Sequence, residues 1–291
     1  MSDAVPAVAD DGDPSFRAAE ADPHVRVRLD VSYDGTDFSG WATQPDRRTV
    51  QAVLEAALAT VLRLPAVRLT VAGRTDAGVH ATGQVAHLDL PASRWAHVRA
   101  RLVRQVDGVL PPDLRVRAAT QVPAEFDARF SALWRRYGYR ISTAAGGPDP
   151  LRRREVLAWR RPLDVEIMAA AAASLLGLHD FVAFCRRRDG ATTLRTLEAL
   201  EVTRSGEQIT CTVQADAFCH SMVRSLVGAL LAVGDGRQPV QWPATLLTRP
   251  ARADEVVVAP AHGLTLLEVG YPPDAELAAR AALTRTLRTR A

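Results

Sequence analysis

Between Val71 and Leu90 the chain sets an arginine and a carboxylate, Arg74 and Asp76, among glycines at 73, 78 and 83. Glycine opens backbone conformations closed to other residues and lets another molecule approach closely. A carboxylate serves as nucleophile or general base, and an adjacent guanidinium favours its ionised form. Arg74 is the nearest guanidinium to Asp76 in sequence. If the backbone there is extended, residues i and i+2 point the same way and the two side chains share a face. The segment then runs into an alternating strand, Gln84 to Leu90, with Val85, Ala86, Leu88 and Leu90 as its apolar positions.

Two other stretches could serve such a carboxylate. Arg135-Arg136-Tyr137-Gly138-Tyr139-Arg140 interleaves aromatics with bases. On a strand, Tyr137 and Tyr139 would fall on one face and Arg136 and Arg140 on the other; aromatic faces stack on nucleobases while guanidinium groups hold phosphates. In Phe218 to Gly228, Arg224 interrupts an apolar helix start beside Met222, Leu226 and Val227, and Asp76 is a plausible anion for it. Other chemistries find less support. His80, His87, Cys185, Cys211, Cys219 and His220 lack ligand spacing for a metal, no GxGxxG or GxxxxGK[ST] phosphate loop occurs, and the GxSxG elbow is missing.

Composition agrees with a protein that meets a polyanion and sits in a reducing compartment. Every one of the 36 basic residues is arginine, and the net charge is +3 despite an acidic first stretch. Guanidinium forks bind phosphate bidentately and stack on bases. The clusters Arg152-Arg153-Arg154 and Arg186-Arg187-Arg188 therefore suggest a polyanionic partner. Three cysteines without CxxC spacing fit reduced thiols. No apolar run approaches the roughly 18–20 residues of a membrane span, and the opening residues do not resemble a signal sequence.

The elements that must position these residues form two halves of similar order. Residues 1–23, rich in Ala, Asp, Pro and Glu, read as a disordered leader. Residues 24–122 are expected to form a first α+β domain. It holds a strand with Val25, Val27, Leu29 and Val31 alternating, and a helix capped by Thr49 and ended by Pro65. A short strand at 67–71, the strand at 84–90, a helix from Ser93 to about Val106 and a strand at 114–118 complete it. Residues 123–275 repeat the order: a strand at 130–142, a helix at 164–176, a hairpin of 197–203 with 208–214, a helix at 220–233 and a strand at 264–269. Residues 276–291 form a tail, and the chain from Asp274 onward reads as a mobile, arginine-bearing helix. Two βαββαβ lobes with mainly antiparallel sheets, ferredoxin-like and joined at a cleft, are the expected architecture.

Six blocks, in order, resemble the TruA family of tRNA pseudouridine synthases. They are YDGTDFSGW at 33–41, AGRTDAGVHATGQVAH at 72–87, FDARFSALWRRYGYRI at 126–141, GLHDFVAFC at 177–185, MVRSLVGALL at 222–231 and HGLTLLEVGYP at 262–272. Departures are Asp127, Gly138, Ser221 and Ser225, where the family more often has His, a basic residue, His and Asn. The resemblance implies the pseudouridine synthase fold and isomerisation of uridine to pseudouridine in the anticodon stem-loop of tRNA, without metal or organic cofactor. It implies a cytoplasmic homodimer. It also implies roles: Asp76 as nucleophile, Tyr137 stacked on the target uracil and assisting proton removal at C5, Arg224 paired with Asp76, and Arg74 reaching into the RNA to hold the nucleotide extruded. A non-catalytic RNA-binding module on the same tandem lobes is the rival reading; it would bind RNA and leave it unchanged.

Overall fold

The computed structural model describes residues 22–186 and 192–286. The expected leader lies outside the described residues except for Asp22 and Pro23, as do Arg187 and Arg188 of the second arginine cluster. In the first half, strand β1 (His24–Tyr33) is followed by helix α1 (Val50–Leu62), strands β2 (Thr70–Val71) and β3 (His80–Pro91), helices α2 (Ala92–Val98) and α3 (Leu102–Asp107), and strand β4 (Leu114–Val122). The second half holds β5 (Trp134–Ser142), β6 (Leu157–Ala158), α4 (Val165–Ala173), β7 (Gly177–Asp180), the hairpin β8 (Leu194–Ser205) and β9 (Gln208–Ala215), α5 (Met222–Gly234), α6 (Trp242–Leu246), β10 (Leu264–Gly270) and α7 (Leu277–Arg285).

All ten strands belong to one sheet. Its main order is β4-β1-β3-β10-β5-β9-β8-β7, with β2 added to β3 and β6 to β5. The pairing is mainly antiparallel, and the halves meet where β3 and β10 run parallel for only two residue pairs, His80 with Thr265 and Ala81 with Leu266. The backbones come very close at that seam: a Cβ on Gly83 would lie 2.0 Å from the Leu267 carbonyl oxygen, so only glycine fits. The mixed α+β, mainly antiparallel fold is as expected from the sequence. The sharing of a single sheet is what the two local patterns did not convey.

Alternation on β1 explains both faces of the first half. Val25, Val27 and Leu29 stand opposite Leu90, Leu88 and Ala86 of β3, and Val27 and Leu29 are fully buried. On the other face Arg26 faces Asp89 and holds its carboxylate through two hydrogen bonds of 2.8 Å. That contact keeps the Asp89 carboxyl below its ordinary range. Such cross-strand pairs fix register, because a one-residue slip would bury the charges.

Helix boundaries follow local chemistry. The Thr49 side chain accepts from the Ala52 backbone N–H at 3.4 Å. At the other end Arg63 turns left-handed and closes α1 two residues before Pro65. The single helix expected at 93–106 is broken into α2 and α3, whereas the tail expected to be helical does contain a helix, α7, which packs Leu277 and Ala281 into the core. Helix α5 is buried along nearly its whole length, as an apolar helix under a sheet and further helices must be. Three reduced thiols were expected. Instead Cys185 and Cys219 are bonded to each other, because their loops meet with Cα atoms 5.7 Å apart, within disulfide reach; Cys211 is free and buried.

Candidate active site

Asp76 sits on the loop between β2 and β3, and that loop is clamped from beneath. Gln84, fully buried on the apolar face of β3, donates to the Gly73 carbonyl at 2.9 Å and to the Tyr33 hydroxyl at 3.3 Å. The Tyr33 hydroxyl in turn meets Thr75 Oγ1 at 2.7 Å. Burial pushes the Tyr33 phenol up to about 12, so it remains a neutral strut. From above, the Trp41 backbone N–H donates to the Thr75 carbonyl at 3.1 Å. Gly40 has φ +93°, and a Cβ there would stand 2.9 Å from the Thr75 oxygen. The loop of residues 33–41, whose three aromatics carry no chemistry of their own here, therefore acts as a lid on the backbone of Asp76.

His80 ties this assembly to the second half. The Gly35 N–H donates to its Nδ1 at 3.0 Å, and Asp34 Oδ1 lies 3.1 Å from that same Nδ1; the other ring nitrogen is Nε2. That nitrogen faces the Arg154 carbonyl at 2.7 Å and the His262 carbonyl at 3.1 Å. Arg135 performs a similar function under the loop. Buried on β5, it donates to the carbonyls of Ala72 (2.9 Å), Arg129 (2.8 Å) and Asp216 (2.7 Å). Burial lowers its pKa, and three carbonyl dipoles compensate for lost water.

The carboxylate of Asp76 keeps 28% of its side-chain surface exposed. It opens into a cleft of about 900 Å³ lined by Arg74, Arg186, His220, Ser221, Arg224 and Arg252 among others. Its partners all come from one segment. Arg224 Nη1 lies 3.7 Å from Oδ2, His220 Nε2 3.3 Å from Oδ1, and Ser221 Oγ donates toward Oδ2 at 3.4 Å. Arg224 is itself aimed by its Nε–H, which donates to the Ala259 carbonyl at 2.6 Å. Ser221 has φ +64°, a conformation that costs a side-chain-bearing residue about 1–2 kcal/mol. The turn it makes swings His220 and Ser221 toward the same carboxylate to which the first turn of α5 presents Arg224.

Of the four residues singled out from sequence, the structure brings Asp76 and Arg224 together. Arg74 lines the same cleft but is exposed and, among the described residues, makes no hydrogen bond or ion pair. The neighbouring guanidinium of Asp76 is thus Arg224 and not Arg74, whose side chain is exposed to solvent. Tyr137 lies beneath the cleft. It is 8% exposed, and its ring packs edge-on against Phe218 with centroids 5.2 Å apart. Burial raises its pKa, with smaller effects from Tyr33 and Asp76. As expected, Tyr137 and Tyr139 share the buried face of β5 and Arg136 and Arg140 the other. Those arginines meet Glu268 at 3.0 Å and Glu155 at 3.3 Å. Sequence reasoning missed His220 and Ser221, and also the 252–258 segment that walls the cleft. The adjacency of His220 and Ser221 to Arg224 was the only available signal.

An aspartate in an open cleft, beside an arginine on a mixed α+β scaffold, offers a nucleophile or a base, and comparison with known proteins fixes the class as the pseudouridine synthases, which convert uridine to pseudouridine. The family described as tRNA pseudouridine synthase matches residues 30–131 and 171–272, and the chain belongs to that family. Proteins called tRNA pseudouridine synthase A are similar to it over nearly their whole length. The one from Frankia casuarinae is 63% identical over 265 residues, 91% of this chain and 96% of the relative. Those of Streptomyces griseus and Mycobacterium leprae are 56% and 54% identical, covering 97% and 91% of this chain and 98% and 96% of theirs.

Proposed function

We propose that the protein isomerises uridine to pseudouridine in the anticodon stem-loop of tRNA, with Asp76 as the nucleophile. The observation that carries this reading is the partly exposed Asp76 carboxylate held in a cleft by Arg224. In the reaction the bond between N1 of uracil and C1′ of ribose breaks, the base turns, a bond from C5 to C1′ forms, and the proton of C5 ends on N1. An ionised carboxylate supports this by bonding transiently to the nucleotide. Arg224 sets a positive charge 3.7 Å from its Oδ2. No rigid duplex would admit Asp76 to its target, so the nucleotide must be unstacked at a cost of a few kcal/mol; Arg74, exposed at the cleft mouth, is positioned to hold it out.

Tyr137 is assigned to stacking on the uracil. Because burial holds its phenol protonated, the ring and not a phenolate carries the contact, and Tyr137→Phe should retain turnover within about threefold. Loss beyond tenfold would return a chemical role to the hydroxyl. Asp76→Asn should abolish tritium release from C5-labelled uridine in tRNA while tRNA binding survives. Turnover retained in that variant would remove Asp76 from the mechanism, and binding with no product from the unaltered protein would favour a plain RNA-binding module. The choice of the anticodon stem-loop, the homodimer and the cytoplasmic setting rests on the family resemblance. Pseudouridine mapping in tRNA and sedimentation test the first two.

A further inference from the structure

Two partners of Asp76 have no part in the reading above. His220 Nε2 faces Oδ1 at 3.3 Å, Ser221 Oγ faces Oδ2 at 3.4 Å, and the same Oγ lies 3.3 Å from His220 Nδ1. Three side chains thus close a ring of three contacts. A serine hydroxyl carries one hydrogen, and a neutral imidazole also carries one. Two hydrogens cannot supply three contacts, so with neutral His220 one edge of the ring always lacks a donor. An imidazolium carries hydrogens on both nitrogens. Nδ1–H then donates to Ser221 Oγ, the serine hydrogen donates to Oδ2, and Nε2–H donates to Oδ1.

We propose that His220, in its charged form, and Ser221 are positioning residues that fix both oxygens of Asp76 and so set the plane from which the carboxylate meets the nucleotide. The backbone supports the arrangement: Ser221 adopts its left-handed conformation at the point where the chain must turn to present both side chains at once, and strained non-glycine residues gather at functional sites. Contacts of this length in an unliganded site tighten when substrate fills it. The charges facing His220 are mixed. Asp76 and, across the cleft, Asp254 favour the imidazolium, whereas Arg224 on α5, Arg74 beside Asp76, Arg186 and Arg252 oppose it. Asp76 faces the ring nitrogen directly at 3.3 Å, so its charge decides.

The proposal rests on Asp76 as the reacting carboxylate, and its test separates the two. Histidine NMR on the full chain should show the His220 pKa above the ordinary value of about 6.5 and falling by roughly one unit in Asp76→Asn; an unmoved titration overturns the ring. His220→Ala should lower kcat on tRNA about tenfold with KM within twofold, and His220→Gln, which keeps an N–H near Oδ1, should recover most of that loss. Wild-type kcat in His220→Ala, a loss confined to KM, or a Gln variant no better than Ala would each sink the assignment. Titration coupling in a protein that makes no pseudouridine would instead overturn the functional reading and leave the ring standing.

Discussion

Arginine behaves in opposite ways in the strap of residues 149–155 and along the rim of the Asp76 cleft. In the strap, Arg152 meets Glu155 at 2.8 Å and Gln208 at 2.7 Å, while Arg154 meets Asp34 at 3.2 Å and Asp37 at 3.7 Å. Arg153 folds back onto the Pro150 carbonyl. Three cations against Asp34, Asp37, Asp149 and Glu155 leave little net field. At the rim, Arg74, Arg186 and Arg252 are exposed and make no ion pair among the described residues. A run of basic letters therefore states how much charge there is, and only the acids that folding brings alongside state how much remains for a polyanion.

The sharpest way to extend the comparison is to remove an arginine of each kind. Arg224→Leu deletes the charge aimed at Asp76, and kcat for pseudouridine formation should fall about 100- to 1000-fold, the range seen when a preorganised donor is lost. Arg135→Met leaves three carbonyls without their donor and should cost roughly 3 kcal/mol of stability. A melting curve should register that as a drop of about 5–10 °C, and any loss of activity would follow the unfolding. Gentler still, replacing Arg74, Arg186 and Arg252 together by Gln should flatten the slope of log affinity for tRNA against log salt by about 2–3. The same change at Arg152 and Arg154 should leave that slope unaltered and stability within about 1 kcal/mol. Equal flattening from strap and rim would erase the distinction.

Much of this was legible beforehand where the signal is local. Alternation gave β1 and its buried face, Thr49 and Pro65 marked the ends of α1, and the glycines around Arg74 and Asp76 marked the loop. Arg224 could be matched to Asp76 because an arginine in an apolar stripe needs an anion. The failures are non-local or too short to leave a period. Strand β7 spans four residues and β6 two. The parallel pairing of β3 with β10 carries no pattern at all. The left-handed turn at Ser221 was invisible because serine has no strong preference for it, and with that turn His220 went unnoticed.

The seam between β3 and β10 has a temporal consequence. Thr82 and Leu266, which meet there, are 184 residues apart in the chain, and contacts so distant are slow to form. During synthesis on the ribosome, the loop bearing Asp76 emerges long before Arg224, and longer still before the strand that docks the two halves. A nascent chain arrested ahead of residue 264 would already carry Asp76 and Arg224 but would lack the strand that pairs with β3 and joins the two halves. Competence to modify RNA is thus withheld until translation is nearly over.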